Sequence, residues 1–124
     1  MNVLVIDADI QKSNGIAAKY GAMNQKVKTE HFDIVRCTNS MKHVWRPADS
    51  ERLVEMVNDA RENYDIVLID TPPLCYGNDA KEISKLADGV VVVKPKEEDD
   101  MKIIGVIENA GLEATQRGQY LWTR

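Results

Sequence analysis

The sequence predicts an α/β fold, a parallel sheet sandwiched in three layers with helices on both faces. Three observations lead there. Val3–Ile6, Ile66–Ile69 and Val90–Val93 are short unbroken runs of mainly β-branched apolar residues. Such runs suit strands covered on both sides, as in parallel sheets. Helical periodicity lies between them, and the first two runs each end in an aspartate, Asp7 and Asp70.

The elements follow in chain order. After the first strand, Ser13–Tyr20 reads as a helix weakened by Gly15. Residues 21–31 and 38–48 are polar and aperiodic and read as loops. Phe32–Cys37 is a fourth strand candidate, broken by charges. Leu53, Met56, Val57 and Ala60 form one face of a helix that Pro47-Ala48-Asp49-Ser50 starts. Asp79 and Glu82 have capping-box spacing ahead of Ile83, Leu86 and Ala87. Asp100 is positioned to cap a helix carrying Ile103, Ile104 and Ile107, with Gly111 as its stop. Tyr120–Trp122 reads as a further strand, at a sheet edge.

The chain of 124 residues is sized for one domain spanning 1–124. Its apolar fraction of 44% is enough to fill a core. A net charge of −4 with mixed signs gives no support to nucleic-acid binding, so a non-specific DNA contact is left without a basic footprint. Cys37 and Cys75 lack metal-type spacing and read as reduced thiols. No apolar run reaches membrane-span length, and the N-terminal segment lacks a basic signal-peptide region. A cytoplasmic protein without membrane contact is the expectation.

Chemistry concentrates at the two aspartates. Each sits at the C-terminal end of a buried strand, the edge of an open parallel sheet where ligands bind. Carboxylates there can hold Mg²⁺ beside a phosphate chain or orient a water. A receiver domain shares this aspartate pattern, but Lys94 follows Asp70 too closely for the intervening helix, strand and helix of that fold. His31 and His43 have no partner at metal-ligand spacing.

Three segments carry a family resemblance. Val3-Leu-Val-Ile-Asp7-Ala-Asp9-Ile-Gln11-Lys-Ser13 resembles the Asp-x-Asp-x-Gln-x-Ser signature of ParA/MinD-type P-loop ATPases. Tyr64-Asp65-Ile-Val-Leu-Ile-Asp70-Thr-Pro-Pro resembles their Walker B strand, and Ala87-Asp88-Gly89-Val-Val-Val-Val93-Lys-Pro95 their next strand and base-contacting loop. The resemblance implies a P-loop NTPase-like fold, ATP and Mg²⁺ as cofactors, and a role in plasmid or chromosome partitioning or cargo positioning. It places Asp9 beside the hydrolytic water, Asp7 and Asp70 in the magnesium environment, and Pro95 beside the adenine. It implies self-association as a homodimer or oligomer and a partition partner protein.

The family's first strand and Gly-Lys-Thr/Ser phosphate loop have no counterpart here, since no window matches G-x-x-x-x-G-K-[ST]. The chain thus reads as a domain truncated at its N-terminus, with weak nucleotide binding. In the family that first strand lies inside the sheet beside the Walker B strand. Without it, Ile66–Ile69 and Val90–Val93 are expected either to pair directly or to leave open edges that an oligomer covers. Asp70-Thr-Pro-Pro is also shared with bacterial tyrosine kinases of the polysaccharide-export type. A remnant of such a kinase, or a non-catalytic interaction module of the same fold, is the alternative reading.

Overall fold

The computed structural model describes residues 1–9, 15–23, 25–37, 47–72, 79–93, 103–107 and 119–123. Their strands are β1 (Val3–Asp7), β2 (Val27–Lys28), β3 (Asp33–Arg36), β4 (Ile66–Asp70), β5 (Gly89–Val93), β6 (Ile103–Ile107) and β7 (Gln119–Thr123). The helices are α1 (Ile16–Lys19), α2 (Pro47–Asn63) and α3 (Asp79–Ser84).

All seven strands join one sheet in the order β2-β3-β1-β4-β7-β5-β6. β1 lies between β3 and β4, parallel to both. β5 and β6 are parallel to each other. β7 runs antiparallel to both of its neighbours, β4 and β5, so those two point the same way. The fold is therefore α/β, but the sheet is mixed where a parallel one was expected: three of the pairings among the described strands are parallel and three antiparallel, because β2 and β7 run against their neighbours.

Alternation along the strands separates two apolar clusters. Leu4, Ile6, Val67 and Ile69 meet Leu53, Val57 and Ala60 of α2 and Ile83 of α3. Val5 and Ile34, with Leu68 beside them, turn the other way and meet Ala17 of α1 and Ala22. The predicted apolar face of α2 is thus the buried one, and Pro47 opens the helix where its missing N–H costs no hydrogen bond.

Several expectations need correction. Ile103–Ile107 forms a strand, not a helix: the run is β-branched around Gly105, and pairing with β5 decides a pattern too short to settle alone. The Tyr120–Trp122 strand is interior, not at an edge. It fills the slot between β4 and β5, so those strands neither pair directly nor leave edges open there. The loop expected over residues 21–31 contains β2, a two-residue strand antiparallel to β3. The first helix is only four residues long. α3 stops at Ser84, before Leu86 and Ala87. Residues 11–14, Asp100 and Gly111 lie outside the described residues.

Candidate functional site

The C-terminal ends of β3, β1 and β4 form one rim. Their registers align Arg36 with Asp7, and Asp7 with Asp70, across adjacent parallel strands. In-register residues on neighbouring strands share a face, so the three side chains leave the sheet on the side of α1. The ladder continues past the strands: the Ala8 N–H donates to the Asp70 carbonyl at 2.8 Å, and the Cys37 N–H to the Asp7 carbonyl at 2.9 Å.

Asp7 is 2% exposed, and its carboxylate organises the chain that follows. Oδ1 accepts the Asp9 N–H at 3.1 Å, and Oδ2 accepts the Ala17 N–H at 2.9 Å, from the first turn of α1. Gly15 precedes that turn, and a Cβ there would stand 2.8 Å from Asp7 Oδ2. A side chain at position 15 would therefore press on the carboxylate oxygen that accepts the Ala17 N–H. Burial pushes the Asp7 carboxyl above its ordinary range, opposed by the Ala17 and Asp9 amides and by the Arg36 charge.

Asp9 and Thr71 are buried at the same rim, and Asp70 is half-buried. Asp9, Asp7 and Asp70 are therefore brought together, as the sequence reading expected. Pro95 lies outside the described residues. Among the described residues, no group of three or more His, Cys, Asp or Glu side chains is arranged to hold a metal ion. Two carboxylates on adjacent strands fit a magnesium ion that takes its other ligands from water and phosphate, rather than an all-protein cage.

Arg36 was not singled out by sequence, where it reads only as a charge interrupting an apolar run. Its Nη1 donates to the Met23 Sδ at 3.1 Å, while its Nε is buried without a hydrogen-bond acceptor.

A second polar cluster lies at the opposite, N-terminal ends of the strands. There the Tyr64 hydroxyl donates to Asp33 Oδ2 at 2.7 Å and accepts from Lys26 Nζ at 3.1 Å. These residues line a cleft of about 840 Å³ floored by Leu4, Val35 and Ala60. The cleft does not coincide with the aspartate rim. In this fold class the rim is the place for ligands, so we take the rim as the candidate site.

No protein-family model matches the chain. The curated proteins with weak similarity include two from bacteria. YwqD of Bacillus subtilis (strain 168), a tyrosine-protein kinase, is 28% identical over 108 residues, covering 73% of this chain and 46% of its own length. AmsA of Erwinia amylovora, provisionally named a tyrosine-protein kinase, is 40% identical over 57 residues, covering 46% of this chain and 8% of its own length. The chain thus spans less than half the length of either relative. The similarity runs to bacterial tyrosine-protein kinases, the alternative of the sequence reading; partitioning ATPases gain no support from it. No helix among the described residues is long and apolar enough to cross a membrane.

Proposed function

We propose that this chain is a nucleotide-binding module of the P-loop NTPase type, related to the bacterial tyrosine kinases, whose aspartate rim faces the phosphates of ATP with Mg²⁺. The observation that carries the reading is the in-register pair Asp7 and Asp70 at the C-terminal edge of parallel strands. The similarity to two proteins named as tyrosine-protein kinases supports it.

In this reading Asp70 takes the inner magnesium position, and Asp7 ties the Asp9 and Ala17 amides to the rim. Asp9, buried beside them, is assigned to a water near the terminal phosphate. A bound magnesium ion would neutralise phosphate charge at the rim. The sequence itself holds no Gly-Lys loop, so the charge-assisted contacts such a loop makes to a triphosphate are not among those these residues supply.

A second reading, a non-catalytic interaction module, is favoured by β7. It occupies the place beside β4 where the resembled ATPases have their phosphate-loop strand.

Titrating Mg-ADP and Mg-ATP into the labelled protein by NMR separates the two. Shifts of the Asp9 and Thr71 amides at roughly millimolar nucleotide, about −4 kcal/mol of binding, support the first reading. Unmoved amides favour the second.

A further inference from the structure

We infer that Arg36 is the phosphate-receiving cation of the aspartate rim, an assignment that rests on the nucleotide reading above and extends it to a residue outside the resembled motifs. Arg36 ends β3 level with Asp7, on the same face of the sheet. It is the sole cation among the described residues that end β1, β3 and β4.

Its hydrogen bonding is incomplete. A guanidinium has five N–H donors. Here one reaches a thioether, a weak acceptor, on Met23, and the buried Nε reaches none. Among the described residues no hydrogen bond or ion pair joins Arg36 to Asp7, whose oxygens accept the Asp9 and Ala17 amides. Its charge favours the Asp7 carboxylate through space, and among the described residues the Met23 sulfur is its one side-chain acceptor. A buried donor left without an acceptor is costly. A tetrahedral oxyanion arriving at the rim supplies acceptors in the geometry that an arginine fork matches. The side chain needs only to leave the Met23 sulfur to meet it. The ligand class is a phosphate or diphosphate group, whether free or part of a nucleotide.

The test titrates magnesium pyrophosphate and Mg-ADP separately into wild type, Arg36→Gln and Arg36→Lys, with melting temperature followed alongside. The expected result is a loss of at least about tenfold in affinity for both ligands in Arg36→Gln, the size of one charge-assisted bond. Arg36→Lys, which keeps the charge and loses the fork, falls between. If Arg36→Gln does not fold, Arg36→Lys alone decides, by weakened or unchanged affinity. Pyrophosphate binding that depends on Arg36 without any gain from the nucleoside would sink the nucleotide reading and leave Arg36 standing. Nucleotide binding insensitive to both substitutions would overturn the Arg36 assignment alone. A lower melting temperature with unchanged affinity would make Arg36 a counter-charge for Asp7 and overturn it too. Failure of wild type to bind either ligand would overturn both.

Discussion

Asp7 and Asp70 stand side by side on neighbouring parallel strands, locked in register by the bond from the Ala8 N–H to the Asp70 carbonyl at 2.8 Å. Two carboxylates from distant parts of the chain are thereby fixed on one rim of the sheet. The pair is asymmetric. Asp7 is buried and held by backbone amides, while Asp70 is half-buried.

The Asp7 carboxylate dictates a glycine. Gly15→Ala would place a methyl group 2.8 Å from Oδ2, and that oxygen cannot retreat without losing the Ala17 N–H. We expect a destabilisation of about 1–3 kcal/mol, read by urea denaturation. An unchanged midpoint would show that the Asp7 carboxylate gives way to the added methyl group without cost.

Asp7 also gives the protein an unusual pH response. Its folded carboxyl is raised above the ordinary value of 3.8 because burial outweighs the amides and Arg36. Between the ordinary value and the raised one, the folded state binds more proton than the unfolded state. This site's contribution therefore favours folding most in acid and declines as pH rises through the raised value. Asp7→Asn, which cannot ionise, should gain in melting temperature relative to wild type as pH rises from the ordinary carboxylate range through the raised value, whatever constant offset its lost acceptor adds. A difference that stays flat, or moves the other way, contradicts the raised carboxyl.

At the opposite end of the sheet, Tyr64 ties the start of β4 to β3 through Asp33 and to Lys26 ahead of β2. Tyr64→Phe removes the donor to Asp33 and leaves that carboxylate with one contact fewer. The expected loss is about 1 kcal/mol in chemical denaturation. A loss indistinguishable from zero would mean that water replaces the hydroxyl without cost.

The interior placement of β7 makes a backbone prediction. Leu121 is paired with Ile69 on one side and Val90 on the other. Leu121→Pro removes an N–H from the middle of the sheet and should cost about 3 kcal/mol or more. The amides of 119–123 should exchange slowly with solvent. Rapid exchange, or a well-tolerated proline, would place the strand outside the sheet.

Much of the site was readable because its parts are local. Val3–Ile6 and Ile66–Ile69 are apolar enough to demand burial on both faces, and each hands its aspartate to the C-terminal rim. α2 was legible from Leu53, Met56, Val57 and Ala60, whose spacing permits one buried face. What escaped was set by pairing between distant segments. Ile103–Ile107 carries spacing that suits either a helix face or a strand, and its parallel partner β5 settles it. Gln119–Thr123 gives no local sign that it will lie between β4 and β5. Arg36 gains its place only from the β1–β3 register, which no residue near it in the chain reveals.

The most direct test of the rim as a phosphate site uses Mn²⁺ in place of magnesium, added with ADP to the ¹⁵N-labelled protein. Paramagnetic broadening should centre on the amides of Asp7–Asp9 and Asp70–Thr71 and spare those around Tyr64 and Asp33, at the far ends of the same strands. Broadening centred on the Tyr64 end, or none at the two aspartates under saturating Mn-ADP, would contradict the account.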